Sequence, residues 1–132
     1  MPSHTLLRTL IASVVPVLTM LSVPALADTA AGEAAYRQYC QACHQVGGVG
    51  VPRVFPPMAN NPNVAGNPEF VAQVVIEGIR GPIEVNGVQY NGVMPPMGYI
   101  NNQVIADLAN FIEKEWGDGS KKLTVEDVEA LR

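Results

Sequence analysis

Cysteine, histidine and basic residues are scarce in this 132-residue sequence. It has two cysteines and two histidines, and its eight lysines plus arginines face twelve aspartates plus glutamates, which gives a formal net charge of −4. Proteins that grip nucleic acid through phosphate contacts need a basic patch, so this charge balance argues against that class of partner. Charged residues make up 15% and hydrophobic residues 48% of the chain. That composition excludes a disordered, collagen-like or multi-pass membrane protein and fits one modest globular domain.

Long hydrophobic runs are also absent, except at the N-terminus. Residues 9–27 carry no charge, Arg8 precedes them, and Ala25-Leu26-Ala27 is the small-x-small pattern that signal peptidase reads. We therefore interpret residues 1–27 as a cleaved signal peptide and residues 28–132 as an exported, periplasmic domain. The alternative is a retained membrane anchor, because the uncharged run is close to spanning length.

The two cysteines do not form a useful disulfide framework. Small exported domains often depend on several disulfides, but here Cys40 and Cys43 are the only cysteines. A bridge between residues three positions apart closes a very short loop and constrains little of the unfolded chain. The domain must therefore be stabilised in some other way.

Four segments combine apolar periodicity with a capping residue, which predicts a helix in each. The predicted helices cover residues 30–39, 68–77, 102–116 and 125–131, after the N-caps Thr29, Asn67, Asn101 and Thr124. Residues 45–66 contain too many glycines and prolines for regular structure. Residues 83–90 alternate in polarity around Asn86-Gly87, which predicts a β-hairpin.

The chemistry-bearing motif is Cys40-Gln41-Ala42-Cys43-His44, the C-x-x-C-H pattern by which c-type haem is attached. Its two thiols can add to the porphyrin vinyl groups, and the adjacent imidazole can ligate the iron. A structural zinc site usually needs four Cys or His ligands, which residues 28–132 do not contain. A redox dithiol is a further alternative, but that motif is expected beside a βαβ unit.

With this motif in place, the sequence resembles the small soluble class I cytochromes c of bacteria. Gly32 and Tyr36 match the family's glycine–aromatic pair on the first helix, and Leu108 and Phe111 match its partner pair on the last long helix. The resemblance covers residues 29–132. It implies an all-α class I cytochrome c fold, with three main helices, a short C-terminal helix and a small β-hairpin around one covalent haem c.

The resemblance also implies roles for residues around the iron. The segment Pro56-Pro57-Met58 is similar to the family's proximal loop, which implies that the Pro56 carbonyl accepts the N–H of His44. Met94 stands in a Met-Pro pair similar to the family's distal loop, which implies that Met94 is the second axial ligand. Met97 and Met58 are the alternative ligands.

Haem propionates usually need hydrogen-bond donors, and four side chains are available for this role. We favour Arg80, which follows a predicted helix end and precedes the predicted hairpin. The other candidates are Arg53, Tyr90 and Trp116.

An iron with both axial positions filled has no open site for substrate, so the expected function is outer-sphere electron transfer rather than catalysis. Residues 81–87 are similar to cytochrome subunits of larger complexes. The expected partners are therefore redox proteins such as a dehydrogenase, an oxidase or a nitrite-reducing system, and the negative charge favours a partner with a basic docking patch. The alternative is a haem-based gas sensor or haem enzyme whose methionine is displaceable.

Overall fold

The computed structural model describes residues 26–132, with side chains from Thr29 onward. The predicted signal peptide, residues 1–27, lies outside these residues except for its last two positions, and its cleavage stays a prediction. Within residues 26–132, no helix is both long enough and apolar enough to cross a membrane.

The described chain is mainly helical, with four short strands. In order, the elements are α1 (Leu26–Tyr39), α2 (Gln41–His44), a 3-10 turn (Val46–Gly48), α3 (Pro68–Glu77), β1 (Ile79–Arg80), β2 (Ile83–Val85), β3 (Val88–Tyr90), β4 (Val93–Met94), α4 (Asn102–Trp116) and α5 (Val125–Ala130). The predicted succession of three main helices and a short C-terminal helix is confirmed. Two small two-stranded sheets accompany the helices, where a single β-hairpin was predicted.

Three of the four predicted N-caps are present, and the fourth is wrong. Asn101 accepts a hydrogen bond from the Val104 amide at 2.9 Å, Asn67 caps α3, and Thr124 opens α5 with a capping box. Helix α1, in contrast, begins at Leu26, so Thr29 lies inside it. The reason is that Leu and Ala are strong helix formers and extend the helix past the predicted cap.

Helices α1 and α4 cross in direct contact at Gly32. A Cβ atom at this position would overlap the Asp107 carbonyl oxygen and lie 2.5 Å from Phe111 Cβ. Only glycine leaves room for this approach. The crossing places the middle of α1 against the middle of α4, and Tyr36, one turn further toward Cys40, contacts Phe111 and Trp116.

Helix α4 is buried over a wider arc than its apolar stripe predicts. Ile105, Leu108 and Ile112 lie in the core, but the polar Asp107 and Glu113 are also buried, only 8% and 1% exposed. Both flanks of the helix are covered, since α1, α3 and α5 all pack against it. The polar side chains are buried because neighbouring groups satisfy them with hydrogen bonds.

The strands form two separate two-stranded sheets. The predicted hairpin is present as β2 and β3, with Ile83 opposite Tyr90 and positive φ at both Asn86 and Gly87, as a tight hairpin turn requires. The second sheet, β1 with β4, was not predicted; it sets Ile79 opposite Met94. This pairing closes residues 79–94 into one folded segment and fixes Met94 beside the end of α3.

Candidate functional site

The C-x-x-C-H motif is positioned by the continuation of α1 into the short helix α2. The Cys40 amide donates to the Tyr36 carbonyl at 2.9 Å, and the His44 amide donates to the Cys40 carbonyl at 2.9 Å. Cys40 is buried and Cys43 exposed, and both are free thiols. The turn directs Cys40, Cys43 and His44 into the wall of one cleft.

The electrostatics of Cys40 do not match a reactive dithiol. Burial, together with the neighbouring Cys43, raises the pKa of the Cys40 thiol to about 12. Redox-active C-x-x-C motifs instead hold a thiol whose pKa is lowered, because the thiolate is the nucleophile. The redox-dithiol alternative therefore loses support.

His44 is held by a hydrogen bond from its ring to the Pro56 carbonyl. The Nδ1–O distance is 2.8 Å, and the imidazole is only 6% exposed. Burial lowers the pKa of His44, and the bond to Pro56 opposes that effect. With Nδ1 donating to a carbonyl, Nε2 carries the free lone pair of the neutral ring. The ring therefore keeps one nitrogen, Nε2, available for a metal ion.

Gly50 allows the proximal loop to close over His44. Its amide donates to the His44 carbonyl at 2.9 Å, and its φ is +66°. A Cβ atom there would lie 2.8 Å from the Pro56 carbonyl oxygen that accepts the imidazole N–H. The loop from 45 to 58, rich in glycine and proline, therefore serves to bring this acceptor to the histidine.

Two apolar clefts flank His44 and Met94. The space within them, part of it open to solvent, is about 700 Å³ and 560 Å³. No charged side chain is found among the described residues that line the larger cleft. The side chains that wall both clefts are Cys40, His44, Pro56, Ile79, Ile83 and Met94.

The three candidate methionines occupy different parts of this site. Met94, on β4, is half-buried and lines both clefts, as His44 does. Met97 is buried and lines only the larger cleft, whereas Met58 lines only the smaller one. Met94 is therefore the methionine that shares both cavities with the histidine.

The candidate propionate donors are only partly brought together. Tyr90 lines the larger cleft, but Arg80 and Arg53 are exposed and absent from its wall. Arg80 lies between Ile79 and Gly81, which do line the cleft, and neighbouring strand residues point to opposite faces. The role of Arg80 stays a prediction that its position does not favour.

Trp116 contacts the loop after the motif instead of lining the cleft. Its indole packs on Gly48, where a Cβ atom would lie 2.8 Å from the ring. Its ring centroid is 4.8 Å from that of Tyr36, whose hydroxyl donates to the Gln45 carbonyl at 2.7 Å. Trp116 was expected only as a propionate candidate. Its contact with Gly48 was not predicted, because it depends on the positive φ of that glycine, which brings the loop against the indole.

The donor set fits a covalently held haem. The Cys40 thiol, the His44 imidazole and the Met94 thioether line both apolar clefts, and the Cys43 thiol lines the larger one. These are the kinds of group that attach and ligate haem c. A zinc site is not supported, because residues 26–132 bring no three His, Cys, Asp or Glu side chains together as a metal-binding group.

Comparison with known proteins agrees with this chemistry. Residues 27–112 match the family described as cytochrome C oxidase, cbb3-type, subunit III. The chain belongs to the cytochrome c family. It is 39% identical over 104 residues to cytochrome c-552 of Thermus thermophilus, an alignment that covers 70% of this chain and 78% of that relative. Members of this family carry covalently attached haem c and transfer electrons.

Two longer relatives are cytochrome subunits of dehydrogenases. The chain is 34% identical over 108 residues to the gluconate 2-dehydrogenase cytochrome c subunit of Pantoea cypripedii. It is 36% identical over 106 residues to the cytochrome c subunit of the quinone alcohol dehydrogenase of Gluconobacter oxydans. The alignments cover 80% and 77% of this cytochrome but only 24% and 22% of those subunits.

Proposed function

We propose that this cytochrome is a periplasmic monohaem electron carrier of the class I fold, with His44 and Met94 as its axial ligands. The observation that carries the proposal is that His44 and Met94 both wall the same two apolar clefts, with Cys40 beside them. The proposal accounts for an exported domain with no disulfide, since the covalent group itself completes the core. Export rests on the N-terminal hydrophobic run.

The chain's own residues would hold one haem. Cys40 and Cys43 would form the thioether bonds, and His44 would present Nε2 while the Pro56 carbonyl keeps Nδ1 protonated. Met94 would supply a neutral thioether as the second ligand. When bound, the group supplies a one-electron couple at its iron.

The walls and mouth of the larger cleft fit this role. Apolar walls would exclude water from the iron, and a scaffold of two sheets and five α-helices would need little rearrangement when the charge changes. Val54 and Val93, which line this cleft, are 49% and 65% exposed. Their exposed surface, beside the exposed Cys43, supports an exit for electrons toward a partner at this mouth.

Redox proteins are the proposed partners. The names of the dehydrogenase subunits support a place in, or beside, a larger oxidoreductase. Arg53, Arg80 and Glu84 are exposed charges adjacent in sequence to residues of the cleft wall, so the surroundings of the cleft do not share the net negative charge of the chain. The predicted basic patch on the partner would have to meet acidic residues elsewhere on the surface.

The proposed ligation is tested in protein matured with haem, which should keep its haem through acid–acetone extraction. Methionine bound to ferric iron gives a near-infrared charge-transfer band. We expect Met94→Ala to abolish this band, lower the reduction potential and open the iron to carbon monoxide. Met97→Leu is the matched control, three residues away in the same loop, and should leave all three properties nearly unchanged.

Two results would contradict parts of the proposal. If Met97→Leu removes the band and Met94→Ala does not, the ligand is wrong but the electron carrier remains. If neither substitution matters and the native protein binds carbon monoxide avidly, the gas sensor or haem enzyme becomes the better reading.

A further inference from the structure

Arg132 reaches residues 98–102, just after the loop that carries Met94 and Met97, because α5 is packed firmly against its neighbours. Helix α5 packs on α3 and α4, and its Val128 side chain is fully buried. Asn110 of α4 holds the chain just before α5 with two hydrogen bonds, accepting from the Leu123 amide at 2.7 Å and donating to its carbonyl at 2.9 Å. The end of α5 is thereby fixed relative to α4.

The Arg132 guanidinium donates hydrogen bonds from its three nitrogens to three different acceptors. Nη1 donates to the Gly98 carbonyl and Nη2 to the Ile100 carbonyl, each at 2.6 Å. Nε donates to Asn102 Oδ1, also at 2.6 Å. The planar fork of arginine suits such divergent acceptors and stays charged at any ordinary pH. One side chain therefore holds residues 98–102 by three hydrogen bonds. These residues connect the loop that carries Met94 and Met97 to α4.

This connection has few other ties. The Met97 amide donates to the Val75 carbonyl at 2.8 Å, and the Ile100 amide donates to the Met97 carbonyl at 3.0 Å. Pro95 and Pro96 have no N–H to donate. Tyr99, at the tip, is 78% exposed. Few local backbone hydrogen bonds therefore hold residues 98–102 in place.

We propose that Arg132 is a positioning residue for the methionine loop, holding residues 98–102 so that the loop carrying Met94 and Met97 keeps its place against the clefts. This inference rests on the proposed ligation. Arg132 touches neither cleft. It acts through the backbone that follows Met97, and it limits how often the loop opens. Loss of the clamp should raise the rate of opening more than it changes the stability of the helices.

The test uses the full haem-loaded protein and three variants. Arg132→Ala removes the clamp, and Arg132→Lys keeps the charge but loses the fork. Arg37→Ala is the matched control, because Arg37 is an exposed arginine that pairs with Glu33 on α1, away from this loop. The first readout is amide hydrogen exchange at Ile100, which reports local opening. The second is the limiting rate of cyanide binding to ferric protein, which requires the methionine to leave.

We expect Arg132→Ala to raise both rates roughly tenfold, which corresponds to about 1.4 kcal/mol. Arg132→Lys should recover only part of this change, and Arg37→Ala should match the wild type. Exchange at Leu108, in the middle of α4, should stay unchanged in all three variants.

Three results would overturn the proposal. They are unchanged Ile100 exchange in Arg132→Ala, an equal increase at Ile100 and Leu108, and faster Ile100 exchange without faster cyanide binding. Failure of the proposed ligation is recognised separately, because the near-infrared band would then be missing from the wild-type protein before any variant is made.

Discussion

The crossing of α1 and α4 makes Gly32→Ala a sharp test of the packing. The added methyl carbon would lie 2.5 Å from Phe111 Cβ and overlap the Asp107 carbonyl oxygen, whereas non-bonded carbons prefer a separation of about 3.5–4.0 Å. The two helices must therefore move apart by roughly 1 Å. A backbone carbonyl cannot rotate out of the way as a flexible side chain can.

The magnitude follows from two opposing effects. Overpacking a close contact typically costs up to about 3 kcal/mol, and the backbone obstacle places this site at that upper end. Alanine also stabilises a helix interior by about 1 kcal/mol relative to glycine. The expected net loss is about 2 kcal/mol of unfolding free energy, which for a domain of this size lowers Tm by roughly 10 °C.

Thermal and denaturant unfolding of the haem-loaded protein, followed by circular dichroism, would measure this loss. Ala34→Gly is the matched control, because Ala34 is exposed on the same helix and its replacement changes helix propensity without touching α4. It should cost about 1 kcal/mol. If Gly32→Ala proved as stable as the wild type or more so, the close crossing would be refuted.

Two further predictions concern polar groups around the same helices. Burial, helped by a hydrogen bond with Asp118, raises the pKa of the Glu113 carboxyl above its ordinary value of 4.5. The protonated carboxyl therefore contributes fully to stability below pH 4.5, and this contribution is lost as the pH rises through the raised pKa. Glu113→Gln, which can still accept from the Gly66 amide, should show a smaller fall in unfolding free energy between pH 4.5 and neutrality, and parallel pH profiles in denaturant titrations would contradict this. Tyr36→Phe removes the hydroxyl that donates to the Gln45 carbonyl and should cost about 1 kcal/mol in the same assay; an unchanged midpoint would show that this bond contributes nothing.

Features that depend on neighbouring residues were predictable from the sequence. The Asn101 and Asn67 caps act within three residues, and the Asn86-Gly87 turn needs only its own positive φ values. The C-x-x-C-H motif is equally local, because its thiols and imidazole lie within one helical turn. The α1 boundary failed for the converse reason: Thr29 is a good cap in isolation, but the residues before it also favour a helix.

Features that depend on distant residues were not predictable. The β1–β4 pair joins two-residue strands that are too short to show alternation, although it fixes the position of Met94. Glu113 lies at a polar position of a regular helical pattern, and its burial depends on hydrogen bonds from the Gly66 and Gly119 amides and with Asp118.

The same distinction explains why the ligands of a site are easier to predict than the groups that hold them. His44 is marked by its two cysteines, and the chemistry of attachment demands all three within one short stretch. No such constraint applies to Arg132 and Trp116, because any suitable side chain that the fold places nearby can contact a carbonyl or a glycine. Which residue makes each contact depends on where α5 and α4 end. Arg132, for example, lies 32 residues after Ile100, whose carbonyl it binds. Changes in residues 98–102 and in Arg132 should therefore be coupled, and changing one without the other is expected to disturb the position of Met94, the proposed ligand.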